Sequence, residues 1–207
     1  YAVGDAVQIK NFVTGKPALI SLAGPANKEG RIAADNICGK ESRYGGGQGS
    51  SVIKIFGMTA ACTGINERTA KETGIDADKD ILSPMNHAGY YPGGKIMTMK
   101  VIFEKGTYRL LGAQIAGSDG VDKRIDVIAV ALRAGMKATE LAELDLAYAP
   151  PYSSAKDPVN MAGYIIENMM EGLMKPFYLE DLENLPADAQ KVDVRTEGEY
   201  AKGTIPG

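Results

Sequence analysis

The stretch that most constrains the fold is LAYAPPYSSAKDPVNMAGY, residues 146–164, in which a ring-rich segment runs directly into an apolar helix. Its rings come from three prolines and three tyrosines, namely Pro150, Pro151, Pro158, Tyr148, Tyr152 and Tyr164. Proline fixes the backbone φ angle, so the segment is predicted to be extended and stiff. A stiff segment presents its tyrosines at a low cost in conformational entropy, which is typical of a surface built for contact.

The helix that follows is predicted over residues 158–172, with Asp157 as its N-cap and Pro158 at its first position. Its apolar residues form two faces: Val159, Ala162, Ile166, Met169 and Leu173 on one, and Met161, Ile165 and Met170 on the other. A helix with two apolar faces is either deeply buried or shared with another subunit. We therefore expect a homodimer in which this helix packs against its twin. Gly163, in mid-helix, costs about 1 kcal/mol relative to alanine unless another element packs closely against it.

Composition excludes several classes of protein. The chain has 207 residues, with 44% hydrophobic and 24% charged, as in ordinary globular proteins. Its net charge of −3 argues against nucleic acid as the main partner. No apolar run is long enough to span a membrane, and no signal peptide is recognisable, so we expect a cytoplasmic protein. The chain starts without an initiator methionine and is expected to be a fragment of a longer protein.

The cysteine and histidine content predicts no metal site. Cys38 and Cys62 have no metal-ligand spacing, and His87 is the single histidine. The two cysteines are expected to be reduced, buried structural thiols, with a redox role for either as the alternative.

The remaining pattern predicts strands with flanking helices, an α+β arrangement with an antiparallel sheet. A strand-like run around residues 19–22 precedes a helix that contains Pro25 in its first turn and ends near Gly39. A glycine-rich loop, residues 39–51, is predicted to separate two domains. Strands are then predicted at 51–58 and 80–86, with a short helix between them that is capped by Asn66 and stopped by Gly74.

Two further elements complete this prediction. Residues 96–117 are predicted to form a β-hairpin that turns at 105–107. An amphipathic helix follows, with Val121, Ile125, Ile128 and Leu132 in one apolar stripe.

Two short motifs near the start carry a resemblance to a flavoprotein family. In YAVGDA, Asp5 follows Gly4, and an Asx turn would be enough to explain this pair taken alone. The motif LAGPANKEGR follows about 20 residues later. Together they resemble the closing half of the FAD-binding α/β domain in the pyridine nucleotide–disulfide oxidoreductases. The resemblance implies that Asp5 binds the flavin's ribityl chain and that Ser21 and Ala23 also contact the flavin. The helix N-terminus then favours negative charge on the reduced ring.

The motifs HAGYYPGG and AYAPPYSSAKDPVNMAGY resemble the C-terminal dimerisation domain of one branch of that family. This branch contains coenzyme A disulfide reductases, NADH oxidases and NADH peroxidases, and the resemblance covers roughly residues 1–172. It implies that Tyr90 and Tyr148 are catalytic and reach the partner subunit's redox cysteine and flavin. A phenol is suited to donate a hydrogen bond or a proton to a thiolate.

The same resemblance implies three contacts with coenzyme A, at Asn27, Asn86 and Lys156. Lys156 would pair with a phosphate, and a solvated surface lysine is the alternative interpretation. Two interpretations of Tyr91 and Tyr152 stay open: they belong to the active site, or they only pack at the subunit interface.

The terminal segment is predicted to contain a short β run, a glutamate-rich helix and a Gly/Pro turn. Its sequence VDVRTEGEYAKGTIPG resembles the start of a rhodanese domain, with Thr204 at the position where that domain commonly has histidine. The predicted domain limits are therefore 1–45 for the end of the FAD-binding domain and 50–172 for the dimerisation domain. A linker follows at 173–189, and the start of a rhodanese-like domain at 190–207.

The function that the resemblance implies is part of an FAD-dependent NAD(P)H oxidoreductase that reduces coenzyme A disulfide, persulfide or polysulfide. Its cofactors would be FAD and NAD(P)H, with coenzyme A as substrate or bound ligand. NADH oxidase or peroxidase activity is one alternative, and a non-catalytic dimerisation module is the other. The family's redox-cysteine motif matches neither Cys38 nor Cys62, so this chain by itself is expected to have no turnover.

Overall fold

The computed structural model describes residues 1–204 and divides the chain into two units, Tyr1–Met174 and Lys175–Gly207. The first unit is an α+β structure built on a five-stranded sheet. Its strands are β1 (Gln8–Lys10), β2 (Pro17–Leu19), β3 (Ser51–Ile55), β4 (Met58–Gly64), β5 (Ala77–Leu82), β6 (Met97–Glu104) and β7 (Leu110–Gly117). Its helices are α1 (Ala23–Ile37), α2 (Glu67–Thr73), α3 (Val121–Ala134) and α4 (Pro158–Met170). The sequence-based prediction of an α+β fold with an antiparallel sheet is confirmed.

The sheet has the strand order β3-β4-β7-β6-β5, and every neighbouring pair is antiparallel. On one face, Met99 of β6 lies opposite Ile115 of β7, and both side chains are buried. Helices α3 and α4 contact this face, α3 over β4 and β7 and α4 over β5. The core therefore lies between one face of the sheet and the two helices.

Most predicted elements are confirmed, with four corrections to the strands. The strand predicted at 80–86 lies at Ala77–Leu82 and ends shortly before Pro84, which has no N–H to donate to a neighbouring strand. The predicted strand 51–58 ends at Ile55, because Phe56 has φ of +51° and turns the chain into β4. Strand β4 itself was not predicted, since MTAACTG lacks the bulky alternating residues typical of strands. The first predicted strand lies at Pro17–Leu19 rather than around 19–22, because Leu22 is already the N-cap residue of α1.

Helix α4 begins as predicted. The Asp157 carboxylate accepts a hydrogen bond from the Val159 N–H at 3.0 Å, and Pro158 is the first helical residue. The helix ends at Met170 rather than at 172, because Gly172 adopts a positive φ of +71°, so Leu173 lies outside the helix and is exposed. Val159, Ala162 and Ile166 are buried, while Met161 and Ile165 on the second apolar face are only partly buried.

Gly163 is required by close packing. A Cβ atom at this position would lie 2.2 Å from the backbone nitrogen of Ala142, in the 3₁₀ turn Thr139–Glu143. The Asn160 side chain holds the same segment by donating hydrogen bonds to the carbonyls of Leu141 and Leu144 at 3.0 and 2.9 Å. The backbone-to-backbone approach explains why a helix interior contains a residue of low helix propensity.

One buried carboxylate in the core lacks a full set of partners. Asp80 of β5 lies opposite Val101 of β6, so its side chain points to the helix-covered face, and it is only 3% exposed. Its Oδ2 atom has no hydrogen-bond partner among the described residues. Burial raises the pKa of Asp80 from 3.8 to about 6, although the Ile81 N–H stabilises the anion in part.

This carboxylate makes stability depend on pH. Its folded-state pKa exceeds its unfolded value, so the folded chain binds the proton more tightly, and stability falls as pH rises between about 4 and about 6. The penalty above this window is up to about 3 kcal/mol. We expect Asp80→Asn to raise the free energy of unfolding at pH 8 by about 1–2 kcal/mol, because it removes the buried charge. The gain is smaller than the full penalty because the new amide remains unpaired. At pH 4 the substitution should change the free energy of unfolding little.

Urea denaturation of both proteins across this pH range measures the difference. The control is Asp76→Asn, which neutralises an exposed carboxylate just before the same strand and should change stability by less than about 0.5 kcal/mol. A pH-independent difference between Asp80→Asn and the unmodified chain would contradict the assignment.

The glycine-rich loop is hydrogen-bonded on both sides. On one side, the Gly47 N–H donates to the Lys10 carbonyl at 3.0 Å and the Phe12 N–H donates to the Gly47 carbonyl at 2.7 Å. On the other, the Gly64 N–H donates to the Gln48 carbonyl at 2.8 Å. The guanidinium of Arg133, at the end of α3, donates to the Gly46 carbonyl at 3.1 Å. A Cβ at Gly46 would lie 2.5 Å from the Lys10 carbonyl oxygen, so this loop is packed closely at its centre.

The second unit contains a 3₁₀ turn, Leu179–Asn184, and a short helix α5, Glu197–Tyr200. Before α5, Arg195 forms an ion pair with Asp193 at 2.6 Å, and Thr196 caps the helix together with Glu199. The short β run predicted at the start of the terminal motif VDVRTEGEYAKGTIPG is not observed. No strand lies within residues 175–204, so this run has no partner strand there. The end of the predicted Gly/Pro turn, residues 205–207, lies outside the described residues.

Within the described residues, none of the helices combines the length and the hydropathy that crossing a bilayer would require.

Candidate functional site

The two tyrosines singled out from the sequence meet at the surface. The Tyr90 and Tyr148 hydroxyl oxygens are 3.0 Å apart, although the residues are 58 positions apart in the chain. Their side chains are 76% and 45% exposed. The hydrogen bond from Tyr90 raises the pKa of the Tyr148 phenol. The arrangement therefore presents two hydrogen-bonded hydroxyls, each able to donate a proton, at the surface of the chain.

Each tyrosine lies in or next to a tight backbone turn. Tyr90 lies in a turn closed by the Tyr91 N–H donating to the Ala88 carbonyl at 2.9 Å. Tyr148 precedes a turn closed by the Tyr152 N–H donating to the Ala149 carbonyl at 2.8 Å. The two turns lie in the segment between β5 and β6 and in the segment before α4.

Beneath these turns lies a buried ionic network that the sequence-based reasoning missed. Arg124 of α3 is 1% exposed, and its guanidinium contacts the Asp157 carboxylate at 3.0 Å. The Ser153 hydroxyl donates to the same carboxylate at 2.6 Å. Burial raises the pKa of Asp157, but the hydrogen bonds from Ser153, Val159 and Arg124 outweigh burial and hold it below its usual value. The signal in the sequence was an arginine inside an apolar helical stripe, three residues after Val121.

The three residues assigned to coenzyme A have different surroundings. Asn86 is 2% exposed, its amide donates to the Asp119 carboxylate, and its carbonyl oxygen accepts from the Lys95 N–H at 2.7 Å. Lys156 is exposed in the segment before α4. Asn27 is exposed on α1, where its amide donates to the Ala23 carbonyl at 2.9 Å. The assignments stay predictions. Both asparagine amides are engaged inside the chain, that of Asn86 in a buried position and that of Asn27 in an exposed one.

The residues assigned to the flavin cluster at the start of α1. The Ser21 hydroxyl donates to the Asp5 carbonyl at 3.0 Å, and Ala23 is the first residue of α1. The buried Glu29 carboxylate accepts from the Gly4 N–H at 2.9 Å and so fixes the turn that exposes the Asp5 side chain. No side chain caps α1, and its first turn contains no acidic residue. The free N–H groups there are available to an anionic or electron-rich ligand.

Both cysteines are less buried than expected. Neither forms a disulfide, but Cys38 is exposed just after α1 rather than buried, because it caps the helix end at the surface. Cys62 is half-buried on β4, with its sulfur 3.2 Å from the Ser51 hydroxyl. Across residues 1–204, no group of three or more His, Cys, Asp or Glu side chains is arranged to hold a metal ion.

Comparison with known proteins adds independent information. The sequence profile of the pyridine nucleotide-disulphide oxidoreductase dimerisation domain matches residues 50–159, more than half of the chain. This range contains Tyr90, Tyr148, Arg124 and all five strands of the large sheet.

Three relatives illustrate the likeness. Coenzyme A disulfide reductase of Staphylococcus epidermidis is 36% identical over 165 residues, which are 79% of this chain and 37% of that protein. NAD(P)H coenzyme A polysulfide/persulfide reductase of Pyrococcus horikoshii is 35% identical over 167 residues, 81% of this chain and 37% of that protein. The crystal structure of reduced Bacillus anthracis CoADR-RHD is 44% identical with a TM-score of 0.94, covering 100% of this chain and 38% of that one. The chain thus spans a little over a third of the length of the relatives it matches.

Proposed function

Because this chain belongs to the pyridine nucleotide-disulphide oxidoreductases through their dimerisation domain, we propose that it forms part of a flavoenzyme that reduces disulfides or persulfides of coenzyme A. The observation that carries the proposal is the exposed pair of hydroxyls at Tyr90 and Tyr148, 3.0 Å apart. The overall reaction converts a disulfide, NAD(P)H and one proton into two thiols and NAD(P)⁺. A thiolate leaving group needs a proton, and a phenol at the surface is placed to supply it.

The start of α1 suits a bound flavin. The uncapped N–H groups of α1 favour electron-rich ligand atoms, and the exposed Asp5 carboxylate accepts hydrogen bonds from ligand hydroxyls. Asp5, Ser21 and Ala23 are the residues that would hold FAD. When bound, FAD passes electrons from NAD(P)H to the disulfide.

The tyrosine pair is proposed to act on a partner subunit in a homodimer. Both hydroxyls point to solvent, and α4, close to Tyr148 in the chain, has a second apolar face that the first unit leaves only partly covered. A dimer would cover this face and bring the tyrosines to the partner's flavin.

The names of the relatives favour sulfur acceptors bound to coenzyme A. Among the residues assigned to that ligand, exposed Lys156 is placed to pair with a phosphate, and exposed Asn27 lies near the flavin end of α1. Reduction of oxygen or peroxide, as in the NADH oxidases and peroxidases, is the second candidate, since the tyrosine pair also suits protonation of a reduced oxygen species.

We also propose that a rhodanese domain begins near residue 190. The support is the motif at 190–207, with its Asp193–Arg195 ion pair before the capped helix α5. The match with CoADR-RHD also extends over the whole of this chain.

The proposed function is tested on the full-length protein that contains this chain. We expect it to purify with bound flavin, to be dimeric by light scattering, and to oxidise NAD(P)H when coenzyme A disulfide or persulfide is added anaerobically. Cystine serves as a disulfide control without the phosphates. Oxidation of NAD(P)H by oxygen or peroxide alone would support the second candidate, and absence of flavin would contradict both.

A further inference from the structure

Arg124 is the most completely buried large polar side chain in the first unit, and the other buried residues of its helix are all apolar. A guanidinium in such a place is costly unless its donors are satisfied, so its partners reveal what it stabilises.

The partners are backbone and side-chain groups of two loops. One terminal nitrogen of Arg124 donates to the Asn86 carbonyl at 2.7 Å and to the Tyr152 carbonyl at 3.3 Å. The same nitrogen lies 3.3 Å from the Ser153 hydroxyl and 3.0 Å from Asp157 Oδ2. Nε lies 3.4 Å from Asp157 Oδ1, so the fork faces both oxygens of the carboxylate.

These are the loops that carry the tyrosine pair. Asn86 is four residues before Tyr90, and Tyr152 is four residues after Tyr148. The loops also bond to each other, since the Ala88 N–H donates to the Ser153 carbonyl at 3.0 Å. Neither turn lies in a helix or a sheet strand. The buried Arg124 guanidinium is therefore an anchor that the two loops share, through its hydrogen bonds to a carbonyl of each.

The backbone of α3 leaves space for this guanidinium. Gly120, the N-cap residue, has φ of +71°, and a Cβ there would lie 2.3 Å from the Arg124 Nη1 atom. The Gly120 carbonyl instead accepts from Nη1 at 3.1 Å. Lys123, 37% exposed, is the second cation near Asp157, at 3.7 Å.

We propose that Arg124, together with Asp157, is a positioning residue that sets the separation of the Tyr90 and Tyr148 hydroxyls by clamping their two loops. This inference rests on the proposed function, since the tyrosine pair is the group that it positions. Asp157 also caps α4, so the same carboxylate fixes the tyrosine loops relative to the helix that carries the second apolar face.

The test uses Arg124→Lys in the full-length flavoprotein, because lysine keeps the charge but cannot bind two loops and a carboxylate through one planar fork. We expect disulfide reduction by the reduced enzyme to slow on the order of tenfold or more, as for small misplacements of catalytic groups. Flavin reduction by NAD(P)H should be unchanged. The matched control is Arg109→Lys, the same change in a half-exposed ion pair at the β6–β7 hairpin.

A double-mutant comparison separates positioning from a general structural role. In a Tyr90→Phe/Tyr148→Phe background, Arg124→Lys should cost less than about twofold, because the groups that it positions are already lost. An equal loss in both backgrounds would overturn the proposal. If the tyrosine double variant itself reduces disulfide at the normal rate, the pair has no role in the reaction and the positioning proposal falls with it. Failure of the unmodified enzyme to reduce disulfide at all would refute the proposed function, which is a different outcome.

A second readout does not depend on turnover. Fluorine NMR of 3-fluorotyrosine at position 148 should show a changed or broadened signal in Arg124→Lys and an unchanged one in Arg109→Lys. An identical signal in all three proteins would contradict the clamp. If Arg124→Lys does not fold, Asp157→Asn carries the same tests, because asparagine still caps α4 while the ion pair is lost.

Discussion

In the full-length protein, replacing both Tyr90 and Tyr148 by phenylalanine should slow disulfide or persulfide reduction by a factor on the order of 10²–10⁴. Phenylalanine keeps the ring and removes only the hydroxyl, so the loss would report the proton that the pair is proposed to supply. Because the hydroxyls are hydrogen-bonded to each other, either single variant should lose less than the double variant, since the remaining phenol can act alone. Stopped-flow oxidation of the reduced enzyme by coenzyme A disulfide measures the step.

The control for this prediction is Tyr152→Phe, the same change in an exposed tyrosine of the same loop. It should leave the rate within about twofold of normal, and flavin reduction by NAD(P)H should be normal in all the variants. A double variant that reduces disulfide at the normal rate would remove the tyrosines from the mechanism. Equal slowing of flavin reduction would indicate general damage to the flavin site.

Gly163→Ala should destabilise the chain by about 3 kcal/mol, at the upper end of what overpacking costs. The added Cβ would meet backbone atoms of the 3₁₀ turn before α4, and that turn is held in place by the Asn160 side chain. Neither side can move away by changing a rotamer. Urea denaturation, followed by circular dichroism, measures the loss.

Gly30→Ala provides the matched control, because Gly30 also lies inside a helix but has open space around its Cβ position. It should stabilise the chain by about 0.4–1 kcal/mol, since alanine restricts the unfolded backbone. Opposite signs for the same substitution in two helices would demonstrate that packing, and not helix propensity, explains Gly163. If Gly163→Ala is as stable as the unmodified chain, the close contact in α4 is not rigid.

Local signals in the sequence predicted much of this fold. Asn66 and Gly74 delimit α2 as expected, because a side-chain cap and a left-handed glycine act on their immediate neighbours. The hairpin of β6 and β7 was equally readable from its turn and its apolar residues. The end of α4 was also encoded locally, in Gly172, although the apolar Leu173 made the helix seem longer.

Features that depend on distant contacts were not predictable from the residues alone. Strand β4 is held between β3 and β7, and its own residues have little strand preference. Asp80 and Arg124 are charged residues that only the tertiary structure shows to be buried. The juxtaposition of Tyr90 with Tyr148 followed from family resemblance, since nothing in the sequence separates these tyrosines from Tyr91 or Tyr152.

The glycine-rich loop around Gly46 has a consequence for protein engineering. By composition it looks like a flexible linker, and it would be the natural place to join segments taken from two relatives. Its backbone, however, bonds to Lys10 and Phe12 on one side and to Gly64 and Arg133 on the other. A recombination point there would take the two sides of this hydrogen-bonded loop from different parents. Chimeras that exchange the segment carrying Asp5 should therefore keep this loop and the segments that it bonds to from a single parent.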